Sequence, residues 1–198
     1  MKVSRVVPAF VAAGCFALLL GAAGVRAQSG GKGGTAGGNA SAADKMFVKK
    51  AMAGGMAEVE LGQLAAQKGN SDDVKQFGQK MVDDHSKLND QMKPVASQLG
   101  VTPPGSMPPA EKALETRLKG LSGDAFDKAY IQAMVKDHRQ DLMEFKKEAS
   151  TAKSSAVKDA ASQGEQVVSE HLKMAEQIAK KHGATATSAI AKNSASPQ

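Results

Sequence analysis

SDDVKQFGQKMVDDHSKLNDQMKPVASQL, residues 71–99, decides the fold. Its large apolar residues fall at Val74, Phe77, Met81, Leu88, Met92, Val95 and Leu99, with His85 on the same line. Steps of three and four are the period of one helix face, not the alternation of a strand. Ser71 stands where an N-cap is expected. Asp72 and Asp73 follow in the first turn, where the helix dipole favours negative charge. Pro94 removes one backbone donor near the far end and predicts a kink there.

Three other stretches carry the same period. A first helix is predicted from about Asp44 to Lys68, stopped by Gly69-Asn70. A third runs from about Asp124 to Ser150, with Ile131, Met134, His138, Leu142, Phe145 and Ala149 on its stripe. A fourth runs from about Ser155 to His182, ends at Gly183, and lines up Val157, Ala161, Val168, His171, Ala175 and Ile178. No segment alternates like a strand, and the single Tyr and absent Trp suit helices better than sheets.

Short links join the first helix to the second and the third to the fourth, which predicts two antiparallel hairpins. The link from Gly100 to Gly123 is long and holds Pro103, Pro104, Pro108 and Pro109. A short helix fits within it, from Ala110 to Lys119. Such a link between helices 2 and 3 is the crossover of a ferritin-like four-helix bundle; a simple up-down bundle with a long loop is the alternative. The expected class is all-α, with the bundle over residues 44–182.

The flanks read differently. Lys2 and Arg5 precede an apolar run from Val6 to about Val25, and Val25-Arg26-Ala27 forms a small-residue exit. This is the anatomy of a secretory signal peptide over residues 1–27. The run is long enough for an uncleaved anchor, but its interspersed glycines favour cleavage. After cleavage no stable membrane span is expected. Residues 28–43 are a Gly/Ser/Ala linker and 183–198 a tail poor in large apolar residues, neither able to order itself by burial. Cys15 is the only cysteine. The apolar run continues past it, against lipidation, and cleavage at Ala27 leaves no thiol for a disulfide or a metal.

Lys2, Arg5 and Arg26 lie in the signal, which holds no acid, so three of the six net positive charges leave with it. No basic run with interleaved aromatics points to nucleic acid. The expected destination is the periplasm or the medium.

One motif recurs on three helices: Val82-Asp83-Asp84-His85, Val135-Lys136-Asp137-His138 and Val168-Ser169-Glu170-His171. It uses three of the four histidines. His182 stands apart beside Lys180 and Lys181, where it is expected to face water. At 1.5 Å per residue the three motif histidines share a level to within roughly 4 Å. The first helix offers Glu58 near its middle, with Gly54, Gly55 and Gly62 leaving room beside it. Buried imidazole and carboxylate are costly without partners. One solution is a transition-metal ion, zinc, iron, copper or nickel, held by Glu58, His85, His138 and His171. The other is a metal-free network of hydrogen bonds across the bundle. Asp84, Asp137 and Glu170 sit about 100° round each helix from their histidines and are placed to meet a ring from a neighbouring helix. Asp141 and Glu144 are weaker candidates for that role. Met81, Met92, Met134 and Met174 fall at helical spacing and read as core filling rather than copper ligands.

At these residues the chain resembles a bacterial family of exported proteins, domain of unknown function 4142, described as predicted outer-membrane proteins and grouped with ferritin-like folds. The resemblance rests on Phe47-Val48 through Glu58-Val59-Glu60-Leu61 and on Val74-Lys75-Gln76-Phe77 through His85. It continues with Leu121-Ser122-Gly123, Phe126-Asp127, Tyr130, Asp137-His138 and His171-Leu172. It implies a four-helix bundle with a metal-competent core, and the family's description implies the outer membrane. No strand pattern here suggests a barrel. Di-iron proteins of the ferritin-like class use Glu-x-x-His; here Val82, Val135 and Val168 occupy the position three before each histidine, so bridging carboxylates are missing.

Three functions compete: a non-catalytic metal-binding protein of the cell envelope, a structural or partner-binding bundle whose polar core fixes register, and a metalloenzyme. Nucleophilic catalysis has no support, since no Ser lies in a nucleophile elbow.

Overall fold

The computed structural model describes residues 40–184. The residues read as signal peptide and most of those read as linker and tail lie outside them. Five helices occur in order: α1 (Ala42–Lys68), α2 (Asp72–Leu99), α3 (Pro109–Lys119), α4 (Gly123–Thr151) and α5 (Ser155–Lys181). No strand occurs among the described residues. No helix there is long and apolar enough to cross a membrane.

Helix α1 starts two residues earlier than expected because Ser41 and Asp44 form a capping box. The Asp44 N–H donates to Ser41 Oγ at 3.0 Å, and the Ser41 N–H returns a bond to the Asp44 carboxylate. Ser71 occupies the N-cap position of α2, but its side chain makes no cap bond. Instead Ser71 Oγ donates to Asp127 on α4 at 2.6 Å. Helix α2 runs on through Pro94 to Leu99. It stops at Gly100, whose φ of 65° is open to a residue without a Cβ.

The hairpins α1–α2 and α4–α5 are the tightest pairs; α2 also packs on α5 and α1 on α4, closing a ring of four helices. Long-range bonds fix the directions. The N–H groups of Lys153 and Ser154, entering α5, donate to Asp44 at the start of α1. Those of Asn70 and Ser71, entering α2, donate to Asp127 at the start of α4. Each hairpin's turn is thus capped by a buried aspartate from the other hairpin. Neighbours in the ring are antiparallel, and α2 and α4 point the same way. A chain leaving one for the other must recross the molecule, and Gly100–Gly123, carrying α3, does so. Helix α3 packs on α1 and α4.

The core has two parts. One holds Val74, Phe77, Met81, Phe126, Tyr130, Ile131 and Met134. The other holds Phe47, Val48, Met52, Met92, Ala96, Val157 and Ala161. Buried Glu58, His85, His138 and His171 lie between them.

Candidate metal centre

The four long helices each bring one polar side chain to this layer: Glu58 from α1, His85 from α2, His138 from α4 and His171 from α5. Glu58 is 2% exposed and the three rings 3%, 0% and 0%, so all four are buried. The ring centroids stand 5.1 Å (His85–His171), 5.5 Å (His138–His171) and 5.9 Å (His85–His138) apart. One nitrogen of each ring lies within 4.8 Å of the others.

Each ring has one nitrogen tied to an acceptor. His85 Nδ1 lies 2.9 Å from Glu58 Oε2. His171 Nε2 lies 3.0 Å from Asp84 Oδ2, and His138 Nδ1 lies 3.0 Å from the Met134 carbonyl oxygen. In neutral rings these nitrogens carry the hydrogen, because their partners only accept. The other nitrogens, His85 Nε2, His171 Nδ1 and His138 Nε2, are then bare lone pairs. Two of them face each other, His85 Nε2 and His171 Nδ1 at 3.2 Å. The third faces an acceptor, Glu58 Oε1, at 3.5 Å. His138 Nε2 and Glu58 Oε1 are buried and have no hydrogen-bond partner.

The layer thus contains two acceptor–acceptor contacts. A second proton on His85 would resolve one, and its basicity favours that: burial lowers it, but the Glu58 carboxylate outweighs burial and leaves it raised. His138 and His171 move the other way. Burial lowers both, and the neighbouring rings add to this, taking His171 down to about 4. Burial alone would raise Glu58, but His85 and His138 hold it down to about 2. A single proton leaves the His138–Glu58 contact unresolved. A cation held by His85 Nε2, His138 Nε2 and His171 Nδ1 resolves the first contact and gives the His138 lone pair a partner; Glu58, expected as a fourth ligand, instead accepts from the opposite edge of the His85 ring and groups with Asp137 and His138. Two ligand atoms at about 2.0–2.1 Å from a tetrahedral ion stand about 3.3–3.4 Å apart, close to the 3.2 Å between His85 Nε2 and His171 Nδ1. The residues fit a transition metal on this count, and the backing acceptors are the arrangement ligating histidines favour.

The acids beside the histidines have different fates. Asp84 reaches across to His171 of α5 and is also held by Lys80. Asp137 is half-buried and forms a second potential ligand trio with Glu58 and His138. Burial, with Glu58 and Glu111 nearby, pushes its carboxyl up to about 7. Asp141 goes to about 8 by burial and by Glu58 and Asp137. Glu144 lies farther along α4 and accepts from Lys50 at 2.6 Å. Glu170 is exposed and, among the described residues, makes no bond to any ring. His182 does not simply face water: its Nε2 lies 2.9 Å from Asp73 at the start of α2.

A cavity of about 260 Å³ abuts the layer, lined by Lys50, Gly54, Glu58, His85, Asn89, Asp137 and Asp141 among others. It lies beside Glu58, where Gly54 and Gly55 of α1 leave the room expected from the sequence.

Fold and layer together define an all-helical domain with a buried three-histidine, one-carboxylate centre. The chain belongs to the DUF4142 family, a domain of unknown function, whose sequence profile matches residues 31–178. No curated protein and no solved structure matches it.

Proposed function

We propose that the protein is an exported, ferritin-like four-helix bundle that holds one transition-metal ion between its helices, in the metal handling or stress response of the cell envelope. The ligands are His85, His138 and His171, with Glu58 as the acceptor behind His85 rather than a fourth ligand. The observation that carries this is the set of three buried imidazoles, each with one nitrogen tied to an acceptor and the other close to the other two rings, which one cation satisfies and one proton does not. Three imidazoles suit zinc, iron, copper or nickel rather than magnesium or calcium. Asp84, Glu58 and the Met134 carbonyl fix the ring orientations. The absence of Glu-x-x-His argues against di-iron oxidation, and the reading assigns the protein no catalysis.

A second reading is favoured by the raised basicity of His85. There the layer is a metal-free proton-sharing network that fixes helix register, and the domain serves as a structural or partner-binding bundle. A thermal-shift screen of the tag-free chain against zinc, copper, nickel, iron and manganese separates the two. Binding raises the melting temperature by mass action. The gain should vanish in His138→Ala and persist in His182→Ala. If no metal raises the melting temperature, or His138→Ala responds like wild type, the metal reading fails and the register reading stands.

A further inference from the structure

His138 belongs to two potential ligand trios, His85–His138–His171 and Glu58–Asp137–His138. Its Nδ1 is tied to the Met134 carbonyl, so it has a single lone pair, on Nε2. A neutral imidazole nitrogen binds one ion at a time. The two trios therefore cannot both use His138 at once. They are alternative stations for one ion.

The two differ in chemistry and in access. The inner trio supplies three nitrogens from rings at most 3% exposed, of which His138 and His171 do not line the cavity. The second is carboxylate-rich and adjoins the cavity, which Glu58 and Asp137 both line. Exposed Lys50 of α1 and Gln140 of α4 also line it, so it opens at the α1–α4 seam. Its volume of about 260 Å³ has room for several waters at about 30 Å³ each, enough for a partly hydrated ion. Asp141 and Glu111 line the same cavity, and Glu111 Oε2 is buried without a partner. Oxygen-rich sites tolerate a cation that keeps some of its water, whereas nitrogen-rich sites favour a dehydrated transition metal.

We propose that Glu58, Asp137 and His138 form an outer capture station, which takes a partly hydrated divalent cation from the cavity and hands it to the histidine layer. His138 stays with the ion throughout; Glu58, Asp137 and water are exchanged for His85 and His171. No bond other than coordination bonds changes, and no electron moves. The inference rests on the proposed metal centre.

Cobalt(II) binding to the tag-free chain tests it, because cobalt absorbs weakly in six-coordinate oxygen-rich sites and intensely in four-coordinate nitrogen-rich ones. In stopped flow, the wild type should show a weak early spectrum that gives way to the intense one. His171→Gln should bind one ion and stop at the weak spectrum. Asp137→Asn, its fold checked by circular dichroism, should reach the intense spectrum about 10–100-fold more slowly, the range typical of lost supporting groups. If His171→Gln binds no cobalt, or the wild type shows only a single rise of the intense spectrum, the capture station is overturned while the metal centre stands. An Asp137→Asn chain filling at the wild-type rate has the same meaning. If the wild type binds no cobalt, both fall.

Discussion

The two halves of the core differ in what fills them. On one side of the histidine layer, Phe77 and Tyr130 stand edge to face at 6.2 Å, and Phe126 stacks on Tyr130 at 6.1 Å. All three are fully buried. On the other side, alanines and glycines of α1 leave the cavity, and Phe145 at its edge is only half-buried. The polar layer separates the filled half from the half with room beside it. Close packing and access are thereby assigned to opposite sides of the same centre. A layer sealed on both sides would keep an ion but could not receive one.

Phe77→Ala should expose the difference most. It removes a fully buried ring that touches both Tyr130 and His171. The expected cost is about 3–5 kcal/mol by urea denaturation. Phe145→Ala, at the cavity, should cost clearly less. Equal costs would mean that the second half is as well packed as the first.

Asp44 probes how the hairpins are held. It accepts from Ser41, Lys153 and Ser154 and is 1% exposed. Asp44→Ala should cost about 2–3 kcal/mol, as bonds to a buried charged group do. Burial raises this carboxyl, but the bonds from Ser41, Ser154 and Lys153 outweigh it and leave it below its ordinary value of 3.8. A depressed carboxylate stabilises fully above its unfolded value and loses that contribution as pH falls through the folded one. The gap between wild type and Asp44→Ala should therefore be constant from neutral pH down to about 5 and shrink below about 4. A gap unchanged down to pH about 2 would show that the charge contributes nothing.

The smallest effect is a change of sign. A Cβ at Gly54, beside the cavity, would meet nothing within 4 Å, so Gly54→Ala should stabilise by up to about 1 kcal/mol through helix propensity. A Cβ at Gly62 would meet the Gly78 carbonyl oxygen of α2 at 2.8 Å, so Gly62→Ala should destabilise by about 1–3 kcal/mol. Melting temperatures of the two variants check this. Shifts in the same direction would erase the distinction between open and closed halves.

The apolar stripes of residues 71–99 and their counterparts made the helices legible, because burial on one face imposes a 3.6-residue period. The recurring acid–histidine motif located the rings that the structure gathers on one level. The fates of the acids were not legible. Asp84, Asp137 and Glu170 share one local spacing, yet one meets a ring, one lines a cavity and one faces solvent. Each acid lies to one side of its histidine, and what stands on that side depends on the helix's place in the ring. The caps by Asp44 and Asp127 join residues 109 and 56 positions apart or more, beyond any local signal. His182 was misread for the same reason: its partner Asp73 belongs to another helix.

The most direct test is anomalous diffraction from crystals of the tag-free chain grown with zinc, recorded on either side of the zinc absorption edge. The account predicts one peak between His85, His138 and His171, about 2.0–2.1 Å from one nitrogen of each. A layer without a peak, with His85 and His171 still in hydrogen-bond contact, would contradict it.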